Sequence, residues 1–353
     1  MKLRTLTVAL VCIIVATIAW ASSGLWTTGT ASDPQGGIPT LDQRARALTP
    51  ETSCLAPVRR ADSGPSPRCV VAFGRAVGAL GVPPEGTPAV VSLVHAATGS
   101  WALPGATYVV GFEPLPAEAE AQVILASTQR DAALLAVGAD LMRYEISTGR
   151  MIARAAGPGG MIDDLGWSVD GAWIVLAAGG KAAVVDSNGK LVRQLPIEGR
   201  ALHVAIDANA AHAAVGSDVG GVTIFGHATE AAPRTVTPSL QPPAELAFAA
   251  GRLWVAGADG ILRALDPATG EETAHVEIGT PIVKLAIAAD GTRAATAGRD
   301  RTVRLHELPS GKIVAELAWH QAQVLTLGWG AGPTLVSGDG DGELAVWDVG
   351  AIR

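Results

Sequence analysis

The chain has 353 residues and a formal net charge of −7, which excludes general phosphate-backbone binding, since that requires a basic surface. No nucleic-acid partner is therefore expected. Charged residues make up 17% of the chain and there are 42 glycines, a composition suited to many small, close-packed strands and not to long solvated helices.

The N-terminus reads as a targeting segment. Lys2 and Arg4 give a positive start, Leu6 to Trp20 is almost wholly apolar, and Ala19-Trp20-Ala21 fits a small-x-small cleavage pattern. No charge appears between Arg4 and Asp33, so residues 1–26 read equally as a cleaved signal peptide or as a retained apolar helix spanning a bilayer. Val11 before Cys12 does not fit a lipoprotein acylation site. Either way the chain is expected to be exported, to the periplasm or the extracytoplasmic face of an inner membrane. Residues 27–50, rich in Gly, Pro, Thr and Ser, read as a flexible linker. Residues 51–353 form the expected folded domain.

Two cysteines remain, Cys54 and Cys69. An even pair in an exported chain reads as a disulfide. The Thr52–Val58 stretch, or Ala45–Thr49 in a shifted register, is the strand expected to close the domain against its C-terminal end. Cys69 to Gly105 reads as the first, least regular unit. Residues 105–120 read as an insertion with its own apolar run, Tyr108 to Phe112. Strand-like runs then recur regularly: Val123–Ala126, Ile162–Trp167, Leu202–Asp207, Ala244–Ala249, Val283–Ala288 and Val324–Trp329.

The end of the chain sets the period. Residues 324–329 and 334–337 are followed by Gly338-Asp339-Gly340-Asp341-Gly342 and then Leu344 to Asp348, strands joined by tight Asp-Gly turns. Counting back from Asp348 reaches Glu307, Asp266, Gly226, Asp186 and Glu145, in steps of about 40 residues, and His95 after one longer step. Turn pairs follow most of them: Thr98-Gly99, Thr148-Gly149, Asn188-Gly189, Thr269-Gly270 and Ser310-Gly311. A hairpin Asp recurs at Asp259, Asp300 and Asp341. Seven units result.

His320, Ser337, Asp341 and a closing Trp347-Asp348 resemble the blade of a WD-repeat β-propeller. The resemblance implies a buried network of His320, Ser337, Asp341 and Trp347. Only the last unit keeps Trp-Asp; the Trp position becomes His306, Leu265, Phe225, Val185, Tyr144 and Val94. The fifth unit, Ala258 to Gly270, is similar to the repeat of pyrroloquinoline-quinone dehydrogenases and of a lipoprotein scaffold in outer-membrane assembly. The dehydrogenase resemblance would imply eight blades, a vicinal disulfide, calcium and a catalytic Asp, but the chain has no adjacent Cys pair. The expected fold is an all-β, seven-bladed propeller of four-stranded antiparallel blades, closed by an N-terminal strand.

Catalytic signatures are absent: no Cys-x-x-Cys-His, His-Glu-x-x-His, phosphate loop or Gly-x-Ser-x-Gly. Asp339, Asp341 and Glu343 start like a calcium loop, but the pattern fails beyond Glu343. His306 is expected to be packed, and nothing in the sequence pairs His212, His227 or His275 with a base. One constellation remains. Asp163, His203, Glu245 and Lys284 fall at matching early positions of successive inner strands. They would surround one mouth of the central channel, as a small-ligand or metal rim or as charges that neutralise one another; Lys284 argues against a metal. The expected function is a non-enzymatic, exported interaction scaffold with no cofactor and no metal, whose partner is a protein in a membrane or redox complex. The alternative is a propeller enzyme or a small-ligand or metal binder that uses the polar rim.

Overall fold

The computed structural model describes residues 51–53, 65–73, 77–81, 89–93, 98–102, 107–111 and 123–129, and from 132 to 352 all but 158, 227–231, 240, 289, 331 and 351. The expected leader with its expected apolar helix, residues 1–26, and the expected linker, residues 27–50, lie outside the described residues. No helix among the described residues is long and apolar enough to cross a membrane.

The described chain is all strand and turn. Two strands come first, β1 (Glu51–Ser53) and β2 (Cys69–Ala72). Sheet I holds β3 (Val77–Gly81), β4 (Ala89–Leu93), β5 (Thr98–Ala102) and β6 (Thr107–Gly111). Sheet II holds β7 (Val123–Gln129), β8 (Ala132–Val137), β9 (Asp140–Glu145) and β10 (Met151–Ala156). Sheet III holds β11 (Ile162–Trp167), β12 (Trp173–Ala178), β13 (Lys181–Asp186) and β14 (Leu191–Leu195). Sheet IV holds β15 (Ala201–Ile206), β16 (His212–Ser217), β17 (Val222–Gly226) and β18 (Arg234–Val236). Sheet V holds β19 (Pro243–Ala249), β20 (Arg252–Gly257), β21 (Ile261–Leu265) and β22 (Glu272–Glu277). Sheet VI holds β23 (Ile282–Ile287), β24 (Arg293–Gly298), β25 (Val303–Glu307) and β26 (Ile313–Leu317). The closing sheet takes β27 (Val324–Trp329), β28 (Thr334–Asp339) and β29 (Glu343–Asp348) and continues through β2 to β1.

All pairings are antiparallel and, within each four-stranded sheet, follow chain order. This is a β-propeller. The period predicted seven four-stranded blades. Six sheets have four strands, and the closing sheet has five because both N-terminal strands join it.

Closure also differs from the expectation. The strand that pairs with β29 is β2, with Cys69 opposite Val346 and Ala72 opposite Glu343; β1 only adds to its outer edge. The reason is alternation. Cys69, Val71 and Phe73 are all buried, a period-2 apolar face that can seal a sheet. With Cys69 recruited there, the first blade starts later. Residues 107–111, read as part of an insertion, are the outer strand of sheet I, and Thr98-Gly99 opens its third strand instead of turning.

The second strands explain why the sheets stack. In β12, β16, β20, β24 and β28 every residue after the first is buried. Apart from Asp339 at the end of β28, these buried positions are apolar or small, the pattern of strands covered on both faces. Outer strands such as β10 alternate between half-buried and exposed. Core clusters lie between successive sheets: Leu134 and Leu141 of sheet II pack with Ile162, Leu165 and Leu176 of sheet III. Close approach demands small residues, and a Cβ on Gly216 would stand 2.4 Å from Pro243 Cγ of the next sheet.

Candidate functional site

In the closing sheet, His320 Nδ1 lies 2.9 Å from Asp339 Oδ2 and His320 Nε2 lies 2.7 Å from Ser337 Oγ. Trp347 Nε1 donates to the same Ser337 Oγ at 2.9 Å. An indole can only donate, so a chain that satisfies every member runs one way: Trp347 N–H to Ser337, Ser337 O–H to His320, His320 N–H to Asp339. Asp339 Oδ1 also accepts the backbone N–H groups of Asp341 and Glu343. The acidic member is thus Asp339 and not Asp341. Asp339 ends β28 two residues after Ser337, on the same side of the strand, whereas Asp341 sits in the turn and contributes only its backbone N–H. Burial works to raise the Asp339 pKa, but the hydrogen bonds from the His320 side chain and from the Glu343 and Asp341 N–H groups hold it below the usual carboxylate value.

Asp, His and Ser linked in this order also describe a nucleophilic triad. Burial decides against that chemistry. Ser337 and Asp339 are 0% exposed, and Trp347 already occupies the Ser337 oxygen. His320, Asp339 and Glu343 also bring metal-ligand atoms within 4.8 Å of one another. Both nitrogens of His320 are engaged by Asp339 and Ser337, so a metal would have to break the network that binds the strands.

The inner rim is built from bulges. In β11 the register pairs Ile162 with Ala178 and then Asp164 with Ala177, skipping Asp163. The same skip separates Ala201 from His203, Pro243 from Glu245 and Ile282 from Lys284. The residue that matches His203, Glu245 and Lys284 is therefore Asp164; Asp163 is the extra residue and is exposed. A bulge turns one residue out and re-aims the next, which reading adjacent acids in sequence does not reveal.

Rim groups are committed to one another. Asp164 Oδ2 accepts the N–H of Val204 in the next sheet at 2.9 Å and lies 3.5 Å from His203 Nδ1. Glu245 Oε2 accepts the N–H of Leu285 in the next sheet at 3.0 Å, while Oε1 lies 3.5 Å from Lys284 Nζ. Glu245, with Asp164 adding to it, keeps the Lys284 ammonium above the usual lysine pKa against the effect of burial. The repeated arrangement is a strap: one sheet's carboxylate holds the next sheet's backbone and pairs with its cation or imidazole.

Other histidines do have partners. His212 Nδ1 meets Asp207 Oδ2 at 3.1 Å, and His275 Nδ1 meets Glu272 Oε1 at 2.8 Å, which corrects the expectation that nothing pairs them; His227 lies outside the described residues. The Asp207–His212 pair spans a turn, and only its backbone fold reveals it. His306 is packed at 0% exposure between Thr296 Oγ1 (2.8 Å) and the Gly311 carbonyl (2.9 Å). Burial, aided by Arg304, pushes its pKa down to about 4 against the Gly311 hydrogen bond. Cys69 is buried in β2, and Ser53 of β1 pairs with Val70; Cys54 lies outside the described residues.

No family model matches the chain, and no curated protein matches it. Among solved structures, a chain of the "Crystal Structure of Mitotic Checkpoint Complex" superimposes with a TM-score of 0.68 at 16% identity, covering 84% of this chain and 99% of that one. At this identity the likeness shows the propeller fold alone. In all, 1813 solved chains match, a breadth that ties the fold to no single activity.

Proposed function

We propose that the protein is an exported, non-enzymatic propeller that acts as an interaction scaffold for a protein partner in a membrane or redox complex. The observation that carries this reading is the commitment of the rim: both of its inward carboxylates, Asp164 and Glu245, accept backbone N–H groups of the next sheet. Side chains used to hold blades together are not free to turn over a substrate. Surface apolar groups also favour contact with a partner. Met161 and Val219 are 47% and 54% exposed, at the strand ends where β11 starts and β16 stops. The loops between them are joined by Gly179 N–H to the Met161 carbonyl and Asp218 N–H to the Arg200 carbonyl.

Export rests on Lys2, Arg4 and the apolar stretch after them. With it goes a Cys54–Cys69 disulfide, proposed because these two cysteines form an even pair in the exported part of the chain. Mass measurement after alkylation, with and without reductant, checks the bond; two alkylatable thiols in exported protein would refute it.

The scaffold is tested by cross-linking the tagged chain in membranes. Met161→Asp with Val219→Asp should lose cross-links to the protein partner, while Asp164→Asn with His203→Gln keeps them. A stoichiometric ion or small molecule in the purified protein, lost in the rim variant, would instead establish the ligand-binding alternative.

A further inference from the structure

Sheet V departs from its neighbours in one turn. In sheets III, IV and VI the first and second strands are joined by turns of four residues beyond the last backbone pair: Ser168 to Trp173, Asp207 to His212 and Ala288 to Arg293. In sheet V, Ala249 pairs directly with Arg252, leaving only Ala250 and Gly251 at the tip. The short turn leaves a notch beside sheet IV. The notch is a cleft of about 270 Å³ lined by Asp207, Asn209, His212, Phe248, Arg252 and Pro267, among others. It opens at the strand ends opposite those carrying Met161 and Val219.

One wall is apolar, made by Phe248, Ala249 and Pro267. The other carries two oriented groups. Asp207 holds His212 through Nδ1 and so directs Nε2 away from itself; the imidazole lies against Phe248, with centroids 6.4 Å apart and planes at 24°. Arg252 Nη1 donates to Thr273 Oγ1. Among the described residues its Nε and Nη2 make no hydrogen bond, and it has no ion pair. Two acids stand nearby: Asp207 spends Oδ2 on His212 while its Oδ1 is buried without a hydrogen-bond partner, and Asp266 accepts the N–H groups of Ala268 and Thr269 and also feels the Arg252 charge. Both turns beside the cleft also hold an alanine in the left-handed region, Ala210 at φ 54° and Ala250 at φ 50°. The matching turns of sheets III and VI place Gly171 and Gly291 there. Strained backbone kept where glycine would relieve it points to a functional constraint.

We propose that this cleft binds a carboxylate attached to one apolar group. A guanidinium edge with free donors matches a carboxylate's two oxygens, His212 lines the same cleft, and the apolar wall takes the body. The volume lies below the ~300–1,000 Å³ usual for drug-sized ligands, so the site takes a single side chain or a small acid and excludes nucleotides. A free aryl or alkyl acid and the C-terminal residue of a partner share this chemistry. The inference does not depend on the scaffold reading.

The test uses the purified full chain and ligand-detected NMR at millimolar ligand. The probes are 3-phenylpropionate and 3-phenylpropionamide, then N-acetyl-phenylalanine and its amide. We expect each acid that binds to do so at least about tenfold more tightly than its amide, since only the acid can engage Arg252 as a charge-assisted pair. Arg252→Gln should remove that preference. Preference for the free acid identifies a small-molecule ligand; preference for the acetylated residue identifies a protein C-terminus. Equal binding of acids and amides, no binding of either acid, or an unchanged preference in Arg252→Gln overturns the proposal, and the first two outcomes need no variant to fold.

Discussion

Sheet VI and the closing sheet stand side by side and solve one problem in two ways. Each must tie its second strand to its third and satisfy the turn between them. In the closing sheet the tie is internal: Trp347, Ser337, His320 and Asp339 form one buried chain, and Asp339 also caps the turn. In sheet VI, Thr296 and His306 take the places of Ser337 and Trp347. Gly298 stands at the position of Asp339, and the capping carboxylate moves to Asp300. There it accepts the Thr302 N–H and pairs with Arg304, which also reaches Glu316. A Cβ on Gly298 would lie 2.6 Å from Asp300 Oδ1, so the glycine makes room for the turn carboxylate to fold back. Sheet V repeats the surface version with Asp259, Arg263 and Glu272. One fold thus tolerates a fully buried network around a carboxylate in one blade and a part-exposed ionic one in the next.

The largest break in that comparison should come from Trp347→Ala. It leaves a cavity and removes a donor, at a cost of about 3–5 kcal/mol in chemical denaturation. Asp339→Ala should follow at about 2–4 kcal/mol, because His320 and two backbone N–H groups lose their acceptor. Asp341→Ala, although its neighbour in the same turn, should stay within about 0.5 kcal/mol. Equal losses at the two aspartates would contradict the assignment of Asp339.

In sheet VI the corresponding weakness is acid. His306 has its pKa pushed from 6.5 down to about 4 in the fold, so the unfolded chain binds its proton first. Stability should be complete above pH 6.5 and fall progressively as the pH drops to about 4, losing up to ~3 kcal/mol from this group. His306→Gln should flatten that part of the melting-temperature profile while lowering stability at neutral pH. The ionic half of the tie is a smaller effect than the acid step. Arg304→Ala should cost about 1 kcal/mol, less in high salt, whereas the Asp339→Ala loss should be nearly independent of salt.

The contrast also shows what a sequence carries. The second strands were legible because burial on both faces leaves an unbroken run such as Trp173–Ala178. His320, Ser337 and Trp347 were legible because their types and spacing have little other use. Which aspartate completes the set was not. Asp339 and Asp341 alternate with glycines, and only the end of β28 decides which one points inward. Asp163 and Asp164 posed the same ambiguity, resolved by a bulge that composition does not mark. The closing strand was misplaced because β1 and β2 are both short and both end in the same sheet. The Asp207–His212 cleft depends on a neighbouring turn being two residues shorter, a property of two blades together and of neither alone.

The pairing of β2 with β29 bears on how the molecule forms. Contacts so distant in sequence cost loop-closure entropy before they return any stabilisation. The ring can seal only after the C-terminal strand has been made, so in a chain synthesised N-terminus first β2 must wait beside an empty place while the other sheets assemble. Its apolar face, Cys69, Val71 and Phe73, stays open throughout that interval, which makes the time before sealing the period of greatest exposure to aggregation and proteolysis.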